Sequence, residues 1–472
     1  MPDVFAPLAH GLGQMAATVI GAEPPAVPLA PPPPDQEGDL ASPVAMTLAK
    51  TAKRPPREIA EAIAAQAREV APPWLGAIEV AGPGFLNLTL SPTWFLEALR
   101  QIEADRHRYG AGFADPAQSI LLEFVSANPT GPPHVGHARH AAYGDSLARL
   151  LSFAGHDVTR EYYVNDHGRQ IEMFARSIIA RYAALFGIDV EVPEDGYRGD
   201  YVDALAESIR GEVGEEYVDR VREPDAETVA WFGDRGVELM LEAIRADLEA
   251  FRTGFDAFSS ERALHVGGRV DQCLDVLAAS GDIYREDGAT WFRTTSYGDE
   301  KDRVLVRSDG TQTYLASDVA YHLDKAARGH DRLIDVLGAD HHGYVARLKA
   351  ILAAAGHDPD TLEVPIMQLV SLVERGVSKK MSKRAGTLVL LGELVDDIGV
   401  DAARFFLVQR SHDTALELDL DLARERSQEN PVYYVQYAHA RVCSILAQAD
   451  LADEDGSAPA PTDLDPAERA LA

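Results

Sequence analysis

The 472-residue chain has little cysteine, no long apolar run and few basic residues relative to acidic ones. Its two cysteines, Cys273 and Cys443, form no Cys-x-x-Cys pair, so neither a disulfide framework nor a cysteine–zinc site is indicated and a reducing, cytoplasmic setting is expected. No stretch of about 18 consecutive apolar residues occurs, and the apolar N-terminus lacks a basic leading segment. We therefore expect neither a signal peptide nor a membrane span.

Acidic residues dominate the charge: 44 Lys and Arg stand against 75 Asp and Glu, for a formal net charge of -31. Such a surface repels nucleic acid unless basic residues are gathered locally. The length, with 46% hydrophobic residues, allows a sizeable core and about three domains of roughly 100 to 200 residues each.

The N-terminal part, residues 1–110, has the pattern of a small α+β domain. Apolar residues recur at helical spacing over 56–70. The segments 77–80 and 85–90 then flank a Gly-Pro-Gly turn and have the composition of strands.

The pattern changes after the linker that ends near Pro116. Residues 120–125 form a continuous apolar strand, as a buried parallel sheet requires. A helix over 137–154 and a strand over 158–164 complete a βαβ unit, with a glycine-proline loop at its nucleotide end. The pattern predicts an α/β, Rossmann-type domain.

Composition predicts the remaining boundaries. We expect the Rossmann-type domain over 111–375 with an acidic insertion at about 184–265, a basic loop and helical connector over 376–428, and an incomplete, truncated all-α domain over 429–472. Within these segments we expect one strand over 367–373 and one helix over 391–412. In the last segment Tyr433, Tyr434 and Tyr437 recur at the spacing of a helix core.

Two histidines flank a glycine at the predicted start of the helix after the first strand: His134, Gly136 and His137. The N-terminus of a helix favours anions, and imidazole N–H groups are suitable donors to a phosphate in transfer reactions. Gly136 would let a nucleotide approach the backbone closely. A lone His-x-x-His more often caps and packs a helix, but the preceding buried strand and Asn128-Pro129-Thr130-Gly131 favour ATP binding.

Metal binding is the alternative, because His140 extends the histidine series. Successive i,i+3 steps each turn by about 300°, so the three rings are expected to fan round the helix rather than converge. We therefore expect no metal site.

A second motif concentrates positive charge over 374–384, where five basic residues stand against one acid. An isolated charge run is usually a solvated loop. Here Gly376 and Ser378 indicate a mobile loop that would close on a triphosphate as the transition state forms. Its central residues are Lys380-Met381-Ser382-Lys383.

His134-Val135-Gly136-His137 followed by Lys380-Met381-Ser382-Lys383 resembles the class I aminoacyl-tRNA synthetases. The longer context, Glu123 to His137 with Arg160 to Asp166 and Gly338 to Tyr344, is similar to bacterial-type arginyl-tRNA synthetases. The resemblance covers essentially the whole chain.

The resemblance implies a role for each matching residue. Catalysis would fall to His134, His137, Lys380 and Lys383. ATP would be bound by His134, Gly136, His137, Met381, Ser382 and Lys383. Arginine would be bound by Glu123, Ser126, Asn128, Tyr314, Asp318 and His341. Independently, a carboxylate that accepts two parallel N–H bonds is the best match for a planar guanidinium, and Tyr314 and Asp318 are spaced to share one helix face.

The implied reaction is arginine–tRNA ligation, in which L-arginine and ATP give arginyl-adenylate and pyrophosphate, and arginine is then transferred to the terminal adenosine of tRNA-Arg. Mg²⁺ would accompany ATP as a substrate complex, tRNA would be needed for the first step, and the enzyme would be monomeric. Two alternatives are a class I-like nucleotidyltransferase, which would need no tRNA domains, and a non-catalytic RNA-binding paralogue, which would have lost site residues.

Overall fold

The computed structural model describes residues 5–33, 36–379 and 388–448, apart from the side chain of His342. Over these residues the chain forms two compact units. The first is built mainly on residues up to Asp115. The second consists of Pro116–Ser152 and His156–Ser444.

The first unit packs helices on one antiparallel sheet with strand order β1-β3-β2. Its helices are α1 (Ala6–Ile20), α2 (Val44–Ala52), α3 (Pro56–Val70) and α4 (Pro92–Asp105), and its strands are β1 (Leu40–Ser42), β2 (Leu75–Ala81) and β3 (Phe85–Leu90). The predicted helix over 56–70 is confirmed because Ile59, Ile63 and Ala67 share one face and are fully buried against the sheet. The two predicted strands are confirmed as β2 and β3.

The second unit contains a parallel five-stranded sheet with strand order β12-β10-β4-β5-β6. Its strands are β4 (Ser119–Glu123), β5 (Asp157–Val164), β6 (Ala257–Ser260), β10 (Arg332–Asp335) and β12 (Leu362–Glu363). The flanking helices are α5 (Val135–Ala154), α6 (Arg169–Ala184), α7 (Asp200–Val213), α8 (Ala226–Ala250), α9 (Glu261–Val266), α10 (Arg269–Ala279), α11 (Tyr314–Ala327) and α12 (Val345–Ala354). The expected Rossmann-type α/β architecture is confirmed.

The strand order reverses beside β4: the chain moves from β4 to β5 and β6 on one side, and returns to β10 and β12 on the other. In open α/β sheets ligands bind at the carboxyl ends of the strands, at such a switch point. β6 lies at the end of the predicted insertion and is nevertheless a strand of this sheet.

Smaller sheets complete the second unit. Their strands are β7 (Ile283–Glu286), β8 (Ala289–Phe292), β9 (Arg303–Val306), β11 (Leu337–Gly338), β13 (Ile366–Met367), β14 (Val370–Glu374), β15 (Val377–Lys379) and β16 (Leu416–Asp419). The last helices are α13 (Leu391–Ile398), α14 (Val400–Val408), α15 (Leu420–Arg424) and α16 (Pro431–Gln448). No helix within the described ranges is long and apolar enough to cross a membrane.

Three local predictions were wrong. The stretch 367–373 is not one strand but the ends of β13 and β14, which belong to different sheets. The predicted helix over 391–412 is two helices, because Gly399 between them adopts a φ of 79° that a helix cannot contain. Tyr433, Tyr434 and Tyr437 are exposed on α16 rather than packed in a core.

Close packing fixes the position of α5 over the sheet. A Cβ atom added at Gly144 would lie 2.2 Å from Cγ of Phe124, the residue that follows β4. Only glycine allows this approach, so the helix lies directly against the strand end. The loop between them, which carries His134, is thereby held at the carboxyl edge of the sheet.

Candidate active site

The two motif histidines contact one another at the start of α5. The His134 backbone N–H donates to Nδ1 of His137 over 3.2 Å, and the Gly136 N–H donates to Nδ1 of His134 over 3.1 Å. The two rings stack with their centroids 3.9 Å apart. The expectation that the rings fan apart was wrong for this pair, because His134 precedes the helix and is not bound by helical spacing.

Gly136 makes this arrangement possible. A Cβ atom at this position would lie 2.9 Å from Cε1 of His134. The space that a side chain would fill is therefore taken by the His134 ring. The expectation that a nucleotide approaches the backbone closely at Gly136 stays a prediction.

The chain that follows the Lys-rich loop returns to the start of α5. The Val135 N–H donates to the Val389 carbonyl over 3.0 Å, and the Leu391 N–H donates to the Pro133 carbonyl over 2.8 Å. Lys380, Met381, Ser382 and Lys383 lie outside the described residues, so their predicted roles stay predictions. The residues after them are nevertheless anchored beside His134.

The first part of the predicted mobile loop is a strand. β14 and β15 pair as an antiparallel hairpin in which Glu374 is opposite Val377. Lys379 forms an ion pair with Glu374 at 2.9 Å, and Arg424 contacts the same carboxylate at 2.7 Å. The single acid of the segment is therefore shared between Lys379 and Arg424.

An acidic group surrounds Tyr163 at the carboxyl edge of the sheet. Burial raises the pKa of the Tyr163 phenol well above its usual range, and the nearby negative charges of Glu261, Asp318, Glu123 and Asp166 raise it further. These four acids come from different parts of the chain: the end of β4, the residues after β5, the start of α9 and the first turns of α11. So much negative charge around one phenol favours a cationic ligand.

Asp318 is half-buried, and Tyr314, one turn earlier on α11, is exposed. Burial raises the pKa of Asp318 to about 6, and the charge of Glu123 acts in the same direction. The positive charges of His322, His341 and Arg347 oppose this shift. A cation that binds here would therefore stabilise the ionised carboxylate.

Sequence reasoning missed Glu261 and Asp166. Glu261 is buried, and its Oε2 atom has no hydrogen-bond partner among the described residues. Burial raises the pKa of Glu261, and the charges of Asp318 and Asp166 add to this effect. Glu261 directly follows β6, and Asp166 lies just beyond the end of β5. Their position after the carboxyl ends of parallel strands was the sequence signal that could have identified them as site residues.

Glu123 and Ser126 form one hydrogen-bonded unit at the end of β4. The Ser126 hydroxyl donates to Oε1 of Glu123 over 2.8 Å, while its oxygen accepts the Tyr163 N–H over 3.0 Å. Lys325 donates to Oε2 of Glu123. Val125 and Ser126 both have positive φ, 68° and 42°. Such strained backbone is typical of functional sites.

The remaining predicted residues lie around this edge. Asn128 donates to Oε1 of Gln170 over 2.8 Å. His341 is 3.5 Å from the Asp340 carboxylate and meets the Tyr344 ring edge-on. His140 has a buried Nδ1 atom with no partner among the described residues, and burial lowers its pKa to about 4. Within the described part of the chain, no three His, Cys, Asp or Glu side chains are placed to hold a metal ion.

Comparison with known proteins shows the family. The family model for the catalytic domain of class I (R) tRNA synthetases matches residues 99–434, and the model for the arginyl tRNA synthetase N-terminal domain matches residues 8–90. The chain belongs to the arginyl-tRNA synthetases.

Relatives in this family are similar over most of their length. The arginine–tRNA ligase of Shouchella clausii is 49% identical over 430 residues, which are 91% of this chain and 76% of that protein. The arginine–tRNA ligase of Geobacillus kaustophilus is 50% identical over 414 residues, 88% of this chain and 73% of that protein. The solved arginyl-tRNA synthetase of Thermus thermophilus has a TM-score of 0.72 and 25% identity, and the match covers 98% of this chain and 85% of that one.

Proposed function

We propose that this arginyl-tRNA synthetase family member activates L-arginine with ATP to give arginyl-adenylate and pyrophosphate, and then transfers arginine to the 3′-terminal adenosine of tRNA-Arg. The observation that carries the proposal is the group of four acids around Tyr163 beside the helix start that bears His134 and His137. The first feature suits a guanidinium, and the second suits a phosphate.

In this proposal Asp318 and Glu261 hold the guanidinium of arginine. Their pKa values are raised by burial, so a bound cation would stabilise the ionised form of both carboxylates. A planar guanidinium can donate two parallel bonds to a carboxylate, which the compact ammonium of lysine cannot reproduce. Tyr314 would cover the guanidinium from the first turn of α11.

The amino-acid end of the substrate would lie nearer to β4. Glu123 would accept a hydrogen bond from the α-amino group of arginine, and Ser126 would hold the Glu123 carboxylate in place. Asn128 would contact the same end of the substrate. His341 would lie beside the guanidinium site, because its charge already influences Asp318.

ATP would bind at the start of α5. His134 and His137 would donate to the phosphates, Gly136 keeps the His134 ring in place, and the helix N-terminus adds a favourable dipole. Lys380 and Lys383 would stabilise the departing pyrophosphate, and Met381 and Ser382 would contact the nucleotide. Class I synthetases use ATP, and Mg²⁺ would accompany it as part of the substrate complex.

The proposal also assigns tRNA a part in both steps. Arginine activation would require bound tRNA-Arg, and the enzyme would act as a cytoplasmic monomer. Because the chain carries a net charge of -31, tRNA would have to bind where basic residues are gathered locally.

Arginine-dependent ATP–pyrophosphate exchange tests the proposal. The chain should exchange label only with arginine and tRNA-Arg present. Asp318→Asn should raise the KM for arginine by at least about 100-fold, because it removes a carboxylate partner of a desolvated guanidinium.

A matched control lies on the same helix. Asp324→Asn alters an acid of α11 that pairs with Arg328 at 2.7 Å, and it should change the KM for arginine by less than about threefold, as surface ion pairs contribute little. Exchange supported by another substrate but not by arginine would contradict the proposal. Equal exchange rates with and without tRNA would contradict only the tRNA requirement.

A further inference from the structure

Three acids lie side by side on β10, β4 and β5, two of them at the ends of β10 and β4. Asp335 is the register partner of Glu123, and Glu123 is the register partner of Glu161. Neighbouring strands are about 4.8 Å apart, and side chains in one register row leave the same face of a sheet. All three acids are buried. Like charges in such a row must be neutralised or protonated.

Helix α11 supplies the neutralising groups. Lys325, which is fully buried, donates to Oδ1 of Asp335 over 2.7 Å and also to Oε2 of Glu123. Arg328 forms an ion pair with Glu161. The row of acids is therefore matched by two cations one turn apart on one helix.

Tyr321 and His322 complete the contacts. The Tyr321 hydroxyl donates to Oε1 of Glu161 over 2.7 Å, and Nε2 of His322 lies 2.9 Å from Oδ2 of Asp335. Nδ1 of His322 lies 2.8 Å from the backbone carbonyl of Asp318. His322 thus links the buried carboxylate of Asp335 to the backbone of Asp318, which is the proposed partner of the substrate guanidinium.

Lys325 differs from Arg328 in what it holds. Arg328 contacts Glu161, which has no proposed contact with substrate. Lys325 contacts Glu123, whose other carboxylate oxygen accepts the Ser126 hydroxyl. The two donors approach Glu123 through different oxygen atoms, and together they fix the direction of its carboxylate.

We propose that Lys325 is a positioning residue for arginine activation, which holds the Glu123 carboxylate ionised and oriented to accept the α-amino group of arginine. The inference rests on the proposed function, because it takes Glu123 as a contact of the substrate. Without the ammonium, Glu123 would face Asp335 as a second buried acid, and one of the two would take up a proton. A protonated Glu123 no longer attracts the substrate ammonium.

The charge state of Asp335 agrees with this arrangement. Burial alone would raise its pKa, but the Lys325 ammonium and the His322 imidazole outweigh burial and lower it to about 2. The pKa of Lys325 is raised, because Asp335 and Glu123 outweigh its burial. Both groups are therefore charged at neutral pH.

Substitution Lys325→Met tests the inference by ATP–pyrophosphate exchange. The KM for arginine should rise by at least about tenfold, because a misdirected or protonated Glu123 loses a charge-assisted contact with substrate. The KM for ATP should stay within about twofold, since ATP makes no contact with Glu123 in this arrangement. The acid limb of kcat/KM for arginine should also move to higher pH.

Arg328→Met is the matched control, because it removes a cation of the same row from an acid one strand away. It should leave the KM for arginine within about threefold of the parent value even if stability falls. Equal increases in the arginine KM for the two variants would overturn the inference and assign the row a purely structural role.

A double variant keeps the test valid if Lys325→Met does not fold. Lys325→Met with Asp335→Asn removes one acid together with the cation, so two buried like charges no longer face each other. Glu123 is still left buried without its ammonium donor, so a folded double variant with a raised arginine KM supports the inference, and a return to the parent KM overturns it. If the parent chain itself shows no arginine-dependent exchange, the proposed function has failed instead.

Discussion

At the scale of single residues, Asp318 affects both stability and the proposed binding of arginine. Its carboxyl is half-buried, and burial raises its pKa to about 6. A raised pKa means that the folded chain disfavours the ionised form. The folded state therefore loses some stability as pH rises from the ordinary Asp value through about 6. A bound guanidinium would restore the stability lost on ionisation. Asp318 would therefore destabilise the free protein and favour arginine binding.

The pH dependence of arginine use follows from this shift. Below about pH 6 Asp318 is protonated, and kcat/KM for arginine should fall by up to about tenfold per pH unit. At saturating arginine the bound guanidinium stabilises the ionised form of Asp318. The fall in kcat should therefore begin at a lower pH than the fall in kcat/KM. Exchange assays between pH 5 and pH 8 would check both profiles. A kcat/KM that stays level down to pH 5 would show that Asp318 does not bind the guanidinium.

At the scale of elements, α5 is attached to the neighbouring sheet by a buried arginine. Arg139 is 1% exposed, and its guanidinium donates to the carbonyls of Gln368, Ser411 and Thr414 over 2.8 to 2.9 Å. Burial lowers its pKa. These carbonyls precede β14 and β16, so Arg139 connects the helix that begins after His134 with the sheet that leads to the Lys-rich loop.

Replacing this side chain should have a clear effect on stability. Arg139→Met would remove the guanidinium from three carbonyls, of which that of Ser411 still accepts the Thr414 N–H, and should lower the free energy of unfolding by about 2 to 4 kcal/mol, as for other broken buried networks. Arg176→Met, which removes an exposed i,i+4 ion pair with Glu172 on α6, should cost less than about 1 kcal/mol. Urea unfolding of both variants measures the difference. Equal losses would mean that the buried bonds contribute no more than a surface ion pair.

At the scale of the whole molecule, charge is the dominant property. At a net charge of -31, acidic side chains repel one another across the surface. Ion pairs offset this repulsion locally, but many of them are exposed, such as Arg169 with Asp195. Exposed pairs contribute little, whereas self-repulsion of a strongly charged chain opposes the compact state.

Salt should therefore stabilise this protein. Raising KCl from 20 mM to 500 mM shortens the Debye length from roughly 20 Å to about 4 Å and screens the repulsion. The Tm should rise by a few degrees, which corresponds to roughly 2 to 4 kcal/mol, because about 1 kcal/mol shifts the Tm of a chain of this size by about 1 °C. Scanning calorimetry in KCl and in the same concentration of a neutral osmolyte separates screening from solvent effects. A falling Tm would mean that attractive pairs dominate the surface.

The sequence predicted those elements whose signal is local. The helix over 56–70 was found because its apolar residues repeat with the helical period, and the strand before the histidine motif was found because its residues form a continuous apolar run. The predictions failed where local pattern does not decide. Residues 367–373 are mostly apolar, yet they change partners between β13 and β14. The tyrosines of α16 share a face that the described residues leave exposed.

By itself, the sequence determined the family, the histidine motif and the βαβ unit that carries it, because each is specified by residues close together in the chain. Only the tertiary structure decided which acids meet. Parallel pairing places Glu123 beside Asp335, and the end of β6 together with α11 places Glu261 and Asp318 around Tyr163. Pairing between distant strands depends on register, which no short segment specifies alone. That dependence is why Glu261 and Lys325 were found in the fold and not in the sequence.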